Sequence, residues 1–329
     1  MRSSRVIGGL GIVAASLGVA LTASPAGALN TVCMARTPAT AGKVPWTLRQ
    51  ASGLTSLPGK DDVLYTHNDR GLRDSPAPGE DTANAAVWAI KPDGTPLARY
   101  RLTAGLGGPP IPYFDTEAIG HDPAGHLVLA DTGTNVDHRL VVALYRFTPP
   151  AIDPNKAYVE QDVAAEIIPI AYYNSATTQI QVQLNVESMV IDAAGSAWFI
   201  PRKSGKPYAY VATAGALNAA SGTSAPARAV RSSQLAVAGP VTDASISPTS
   251  AMMVVKTTTT TYAYLLNNGS VATALVGAPA CTVATAARAK AAGYGEAIVA
   301  RDDGSFTTLA EGSKSAHSGS ASAVWSFTP

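Results

Sequence analysis

One hairpin unit recurs along this chain, and the recurrence limits the possible folds more than any other feature of the sequence. Each copy contains an acidic residue, a small residue, alternating apolar positions, a tight turn and a second apolar strand. Full copies begin at Glu117, Glu187, Asp243 and Glu296, and a degenerate copy begins at Ser52. The starts lie 53 to 70 residues apart, a spacing that suits a four-stranded propeller blade with loops.

Turn residues separate short apolar strands along the rest of the chain. Pro, Asp, Asn and Gly predict hairpin turns at 92–94, 123–125, 192–195, 267–269 and 302–304. Outer strands of the blades are predicted at 86–90, 97–100, 140–147, 208–211, 262–266 and 323–327. Only residues 284–292, which end before Gly293, have a helical pattern.

These patterns predict an all-β chain in which residues 29–329 form a single β-propeller domain. Five blades are the main interpretation. Residues 150–185 contain a further predicted strand at 164–173 and leave room for a sixth blade. A β-sandwich or an irregular β-array, in which the hairpins are similar by chance, is the alternative.

The N-terminus has the pattern of a cleavable signal peptide. Arg2 and Arg5 precede an apolar stretch at 6–21, and small residues at 26–28 form the cleavage site. A membrane anchor is the alternative, but the apolar stretch contains Gly and Ser and is shorter than the roughly 20 residues that span a bilayer. We therefore expect cleavage after Ala28 and a secreted, extracellular protein.

The charges of the mature chain nearly cancel. The sequence has 24 Lys and Arg and 23 Asp and Glu, so that loss of Arg2 and Arg5 leaves 22 basic against 23 acidic side chains. Because the net charge is close to zero, we expect neither nucleic acid nor, after signal cleavage, a membrane as a partner. We expect a monomer that has a small polar or anionic ligand.

The only two cysteines, Cys33 and Cys281, are predicted to form a disulfide because the chain is exported. Such a long loop is worth on the order of 4 to 5 kcal/mol in chain-entropy terms. The bond would join the mature N-terminus to the entry of the last blade and close the ring. A reactive thiol is the alternative, but neither cysteine lies in a Cys-x-x-Cys motif or beside a histidine.

Acidic residues begin the repeated units. Three of the seven Glu residues of the mature chain begin a copy, and Asp243 begins another. In a propeller the innermost strands line the central channel, so these residues would form a ring around its mouth. A second polar set follows 13 to 15 residues after each start and contains the His67-Asn68-Asp69 run, Asp131, Arg202, Lys203, Lys256 and Glu311.

Two interpretations of this ring remain open. Buried charges need partners, so the ring could be a set of ion pairs that holds the blades in register in a structural or protein-binding propeller. Alternatively it is a site for Ca²⁺, which prefers carboxylate and amide oxygens. The predicted metal ligands are Glu117, Asp131, Glu187, Asp243 and Glu296. Ligand-binding residues are predicted at Asn68, Asp69, Arg202, Lys203 and Lys256, whose cations would attract phosphate or carboxylate.

A hydrolase is a further interpretation of the same ring. A bound ion would polarise a phosphoester or carboxylic ester, with His67 or a carboxylate as the base. Binding without turnover is equally compatible with these residues. Motifs of serine hydrolases, zinc proteases, thiol oxidoreductases and P-loop proteins are absent from the sequence. His121 and His126 flank one hairpin turn and are expected to have no functional role.

Several runs resemble a family of secreted bacterial propeller proteins. Its members share a His-Asn-Asp-Ser-Gly run, an Asp-Trp-Glu-Asp run, an Asp-x-Gly-x-Asn run and later Glu and Thr-Asp blade starts. The matching runs here are at 66–71, 115–118, 131–135, 185–188 and 241–244. Arg70 replaces Ser, Thr116 replaces Trp, and Ala118 replaces the second acid, which removes a possible ligand. The layout is more distantly similar to phytase-type and esterase-like propellers, and this similarity implies an acidic channel mouth that binds calcium.

Overall fold

A computed structural model describes most of the chain after the N-terminal segment. The described residues are 39–48, 50–69, 84–112, 114–134, 139–180, 184–203, 205–284, 295–310 and 323–327. The predicted signal peptide, Cys33, nearly all of the predicted helix at 284–292, and Glu311 lie outside them.

The strands of the first three repeats form antiparallel groups of four. The first group consists of β2 (Ala51–Ser56), β3 (Leu64–Asn68), β4 (Ala86–Ile90) and β5 (Pro96–Ala104). The second consists of β6 (Ala118–His121), β7 (Leu127–Asp131), β8 (Val141–Phe147) and β9 (Val159–Tyr173). The third consists of β10 (Val186–Ile191), β11 (Ala197–Pro201), β12 (Tyr208–Ala212) and β13 (Ala227–Gln234).

Two further groups complete the chain. The fourth consists of β14 (Val241–Ile246), β15 (Met252–Thr257), β16 (Thr260–Leu265) and β17 (Cys281–Ala284). The last consists of β18 (Gly295–Ala300), β19 (Phe306–Ala310), β20 (Ala323–Phe327) and β1 (Ala39–Lys43). The N-terminal strand β1 therefore pairs with the C-terminal strand β20, and this pairing joins the two ends of the chain.

The inner strands of the groups form a ring. Strands β2, β6, β10, β14 and β18 each contact the next one, and β18 contacts β2. Each hydrophobic cluster in the described part of the chain lies between two consecutive groups, including the last and the first. In the cluster that closes the ring, Leu54 and Trp88 of the first group pack with Val299 of the last group. This arrangement is that of a β-propeller and confirms the predicted all-β propeller class.

The long strand β9 links three groups. Its residues 159–165 pair in parallel with β5, and its residues 170–173 pair in parallel with β13. The further strand that was predicted at 164–173, as part of a possible sixth blade, belongs to β9 and therefore to the second group. The second group is therefore paired with the first through the early part of β9 and with the third through its end.

Four of the five predicted hairpin turns are confirmed. Gly125 and Gly195 have φ of 84° and 78°, a conformation that side chains with a Cβ rarely adopt. The turn predicted at 267–269 is wrong: it is a short 3-10 segment that leads into a helix rather than a tip between paired strands.

The prediction of a single helical segment is also wrong. Helix α1 (Ala214–Ala220) follows β12, and helix α2 (Val271–Leu275) precedes β17. Thr213 caps α1 through a 3.3 Å bond from the Ala216 amide, and Ser270 caps α2 in the same way. Helices of seven and five residues contain too few turns for an apolar period to stand out, so the caps are their main sequence signal. Among the described residues, no helix has the length and apolar character needed to cross a bilayer.

Cys281 is not at the entry of the last group. It begins β17, the outermost strand of the fourth group. The pairing of β1 with β20 joins the two ends of the chain, and the predicted partner Cys33 lies outside the described residues. Backbone hydrogen bonds between the two chain ends remove the exposed sheet edge there.

Candidate metal centre

The start of each inner strand positions a polar side chain at one end of the ring. The register between paired strands shifts at Ser52–Gly53, at Glu187, at Thr242 and at Glu296. A β-bulge places two residues opposite one and turns a side chain away from the regular alternation. The bulges therefore aim the side chains of Glu187 and Glu296 at the channel end, and Glu117, directly before β6, lies at the same end.

Three buried carboxylates form what we call the acid cluster: Asp69, Asp115 and Glu117. Each offers an oxygen within 4.8 Å of the oxygens of the other two. The three residues are 7%, 1% and 1% exposed. Oδ1 of Asp69 is buried and accepts no hydrogen bond from any residue in the described ranges. Ser52 donates to Oε2 of Glu117 at 3.2 Å.

Gly133 makes the acid cluster sterically possible. A Cβ at this position would collide with the carboxylates of Asp115 and Glu117. The Gly133 amide donates to the Asp115 carbonyl at 2.9 Å, which holds the two segments at this close approach. The glycine of the Asp131-Thr-Gly-Thr run is therefore required by the carboxylates that pack against it.

The acid cluster is electrostatically unfavourable in its ionised form. Burial raises the pKa of Asp69 well above its usual range, and Asp115, Glu296 and Glu187 raise it further. Burial likewise raises the pKa of Glu117, with added contributions from Asp69, Glu187 and Asp115. Carboxylates in such a place take up protons, pair with a cationic side chain or bind a metal cation.

Glu187 and Glu296 lie nearby but have a partner of their own. Nη1 of Arg202 is 2.7 Å from Oε2 of Glu187 and 3.1 Å from Oε1 of Glu296. Asn185 donates to the other oxygen of Glu187 at 2.6 Å. Burial raises the pKa of Glu187 to about 7 in spite of the opposing effect of Arg202. One guanidinium thus joins the third group to the last.

Asp243 ties three inner strands together. Its Oδ2 accepts from the Ile298 amide of β18 at 2.7 Å, and its Oδ1 accepts from its neighbour Ala244 at 2.8 Å. The Leu54 amide of β2 also bonds to it. Burial raises the pKa of this carboxyl above its usual range, against the effect of these amides and of Lys256. These bonds use the carboxylate internally, so we leave Asp243 out of the acid cluster.

The carboxylate of Asp131 is bonded to the backbone of Asp115, a member of the acid cluster. Its Oδ1 accepts from the Asp115 amide at 2.9 Å and from Arg139 at 2.7 Å, and its Oδ2 accepts from Tyr145 at 2.8 Å. Oδ1 therefore holds the backbone of Asp115, and Oδ2 is used by Tyr145. The sequence predicts Asp131 as a metal ligand; in the structure its carboxylate accepts bonds from the Asp115 backbone, Arg139 and Tyr145.

His67 and Asn68 face inward. His67 is fully buried; its Nδ1 lies 3.1 Å from Thr116 Oγ1, and its Nε2 packs against Gly53 and has no partner among the described residues. Burial lowers the pKa of His67 to about 4. Asn68 donates to the Thr47 carbonyl at 2.7 Å and accepts from the Gln50 amide. Both side chains thus hold the end of β3.

The two lysines of the predicted ligand-binding set differ from each other. Lys203 is exposed and has no contact with the acid cluster in the described part of the chain. Lys256 is buried, and its Nζ donates to Thr242 Oγ1 at 3.3 Å and to the Thr257 carbonyl at 3.2 Å. Burial lowers its pKa to about 8, against Glu296 and Asp243, which raise it.

Sequence reasoning missed Asp115, Arg139 and Tyr145 as parts of the site. Asp115 lies two residues before Glu117 in the run that resembles the secreted propeller family, and this spacing was the available signal. Arg139 and Tyr145 do not occupy a repeated position in the sequence. They contact Asp131 only once the second group has folded, so no sequence signal was available.

Comparisons with known proteins give remote structural similarities. The chain matches no protein-family profile and no curated protein. Among solved structures, it is similar to XC5397 from Xanthomonas campestris, a gluconolactonase, with a TM-score of 0.38 at 11% identity over 82% of this chain and 72% of that one. For the Dos1 propeller the TM-score is 0.35 at 7% identity, over 83% of this chain and 69% of that one.

A third solved structure is considerably longer. For Kuenenia stuttgartiensis hydrazine synthase the TM-score is 0.35 at 11% identity, and the match covers 81% of this chain but only 57% of that one. Similarities this remote assign no activity to the chain. Its class, an all-β propeller with buried carboxylates at one end of the ring, follows from its own strand pairing and contacts.

Proposed function

We propose that this protein is a secreted five-bladed propeller that binds Ca²⁺ at the acid cluster. The observation that carries the proposal is the buried group of Asp69, Asp115 and Glu117, with ligand atoms within 4.8 Å of one another and the buried Oδ1 of Asp69 without a donor among the described residues. Two oxygens bound to one Ca²⁺ at about 2.3–2.6 Å lie at most about 5 Å apart. The separation therefore fits one shared ion.

The repulsion between the three carboxylates supports a cation rather than an apolar or anionic ligand. Glu187, Glu296 and Asp131 each have an ion pair with an arginine, and burial and neighbouring acids raise the pKa of Asp69 and Glu117 well above the usual range. Hard oxygen donors suit Ca²⁺, which takes six to eight of them. Three side chains leave further positions for backbone carbonyls, water or an oxygen of a second ligand.

The architecture in this proposal assigns one blade to each four-stranded group. The last blade takes its outer strand, β1, from the N-terminus, as the pairing of Thr40 with Trp325 indicates. Export through the N-terminal signal sequence and a disulfide between Cys33 and Cys281 belong to the same proposal. The bond would fasten the segment before β1 to β17 of the adjacent group.

Arg202 is the residue of the predicted ligand-binding set best placed to meet a small polar or anionic ligand. Its side chain is 33% exposed, and within the described ranges all its hydrogen bonds run through Nη1. Nη2 and Nε keep donors for a carboxylate or phosphate. The enclosed position of His67 argues for binding rather than hydrolysis, since a base must reach the proton it abstracts.

Thermal melting with and without calcium tests the proposal. At a calcium concentration of 100 times Kd the folded state gains about 2.7 kcal/mol, so the Tm should rise by several degrees. Glu117→Gln should lose this rise, because it removes one charged ligand at nearly constant shape. Glu160→Gln is the matched control, since Glu160 lies on the exposed face of β9.

The expected outcome is a calcium-dependent Tm in the native protein and in the control but not in Glu117→Gln. A native Tm that does not respond to calcium, or an equal rise in Glu117→Gln, would show that the acid cluster holds no ion. A panel of phosphate and carboxylic esters, assayed with calcium, separates a binding protein from a hydrolase.

A further inference from the structure

A cavity of about 590 Å³ lies between the second and third groups, away from the acid cluster. It is bordered by the β6–β7 turn, the β10–β11 turn, strands β8 and β9, and helix α1. Glu117 and Glu187 lie at the starts of β6 and β10, and these two turns follow the ends of the same strands. The cavity is therefore at the opposite end of the two groups.

The course of β9 explains why the cavity exists. Residues 159–165 of β9 pair with β5, and only residues 170–173 pair with β13. The second group is thus drawn toward the first along the early part of β9 and separates there from the third. Helix α1 covers the gap only in part, through the buried side chain of Leu217.

The floor of the cavity is apolar and buried. Val128, Leu144, Ile168, Ile191 and Leu217 line it, and all belong to the hydrophobic cluster that the two groups share. Small-molecule sites have volumes of about 300–1,000 Å³ and combine an apolar lining with a few placed polar groups. The volume of this cavity lies in that range, and its floor supplies an apolar surface beneath a polar rim.

The charged groups on the rim are paired with one another. Arg146 Nη2 is 2.7 Å from Glu166 Oε2, and its Nη1 donates to Asn218 Oδ1 at 3.0 Å. His126 Nδ1 is 2.8 Å from Asp122 Oδ2. Because these charges already have partners, the rim favours a neutral ligand over an ion.

Two polar atoms on the rim keep their hydrogen-bonding capacity. Nδ1 of His126 lies 2.8 Å from Oδ2 of Asp122; when Nδ1 donates to this carboxylate and the ring is neutral, Nε2 is an acceptor. Oδ1 of Asn218 accepts from Arg146, so its amide N–H groups are the donors that remain. A hydroxyl group can donate to one and accept from the other, whereas a carbonyl group can only accept.

We propose that this cavity binds a neutral, mainly apolar small molecule that carries a hydroxyl group. The apolar body contacts the floor between the second and third groups. The hydroxyl donates to Nε2 of His126 or accepts from the amide of Asn218. This site is independent of the acid cluster and of calcium.

Titration with 2-naphthol, followed by isothermal calorimetry, tests the proposal on the full protein. We expect saturable binding with one site, and at least tenfold weaker binding of naphthalene, which lacks the hydroxyl. Ala164→Trp should abolish binding, because Ala164 is an exposed strand residue that lines the cavity. Ala219→Trp, on the exposed surface of α1 outside the lining, should bind like the native protein.

Two further variants test the polar contacts. Asn218→Asp keeps the acceptor for Arg146 but removes the amide donors, and His126→Phe removes Nε2; each should weaken 2-naphthol binding several-fold and leave naphthalene binding unchanged. Circular dichroism and a cooperative thermal melting transition verify that each variant is folded.

Either of two binding results would overturn the proposal. One is the absence of saturable 2-naphthol binding up to its solubility limit, and the other is native-like binding by Ala164→Trp. A dimer of the native protein that Ala164→Trp converts to a monomer would also overturn it, because the cavity would then be an interface between two copies.

Discussion

The acidic end of the channel has two groups of buried carboxylates, and their surroundings differ. On the side of the third and last groups, Glu187 and Glu296 share Arg202 at 2.7 and 3.1 Å. On the side of the first two groups, Asp69, Asp115 and Glu117 lie together, and Asp69 Oδ1 has no donor among the described residues. Arg202 of the chain itself compensates the first pair, and we propose that Ca²⁺ compensates the acid cluster. The comparison teaches that a repeated acid is not by itself a ligand; what faces it decides its role.

The largest expected effect is a pH dependence that calcium suppresses. Burial and neighbouring acids raise the pKa of Asp69, Glu117 and Glu187, the last to about 7 from 4.5. The folded state then binds more protons than the unfolded state, so stability without calcium is highest below about pH 4.5 and falls as the pH rises toward 7. For Glu187 alone the loss is roughly 3 kcal/mol at 1.36 kcal/mol per pKa unit.

Urea unfolding at pH 5 and pH 7.5, with chelator and with calcium, measures this effect. Calcium should restore the stability that Asp69 and Glu117 lose at pH 7.5, but not the part lost by Glu187, which is paired with Arg202. A stability that is equal at both pH values in chelator would show that the three carboxyls are not held in a repulsive arrangement.

The next largest effect is expected from Arg202→Met, which removes the arginine that pairs with Glu187 and Glu296. Removing one partner of a buried ion pair costs about 3–5 kcal/mol, and the partial exposure of Arg202 places the loss near or below the lower value. Calcium should then stabilise the variant more than the native protein, because two further carboxylates become available. Arg101→Met, which removes an exposed pair with Asp162, is the control and should change stability by less than about 1 kcal/mol.

Asp131→Asn should loosen the acid cluster without removing any of its carboxylates. Arg139 loses its ion pair and Asp115 loses a charged acceptor, for a destabilisation of about 2 kcal/mol. The calcium Kd, measured by titration calorimetry, should rise about tenfold. An unchanged Kd would mean that Asp115 keeps its position without Asp131.

The smallest effect on stability is expected from Gly133→Ala. The added methyl group must displace the carboxylates of Asp115 and Glu117, at a cost of about 1–2 kcal/mol. Gly133→Ala should weaken calcium binding more than it lowers the free energy of unfolding, since it moves the carboxylates of Asp115 and Glu117 apart. Gly125→Ala, a turn glycine outside the cluster, should destabilise the fold but keep the calcium-dependent Tm.

Much of the fold was predictable from local pattern. The hairpins that begin at Glu117 and Glu187 correspond to β6–β7 and β10–β11, and the predicted strand at 86–90 is β4. Helix α1 was not predicted, because seven residues give no clear period. The role of β1 was not predictable, since it pairs with β20 at the other end of the chain.

The sequence by itself determined the hairpins, their turns and the acids at the strand starts, because strand alternation and turn chemistry act over a few residues. Tertiary structure alone decided which acids are compensated. Arg202 pairs with an acid 94 residues away, and Asp131 accepts a bond from Tyr145 of another strand. Charge compensation depends on distances in space of a few ångströms, and those distances exist only after the groups have packed around their shared cores.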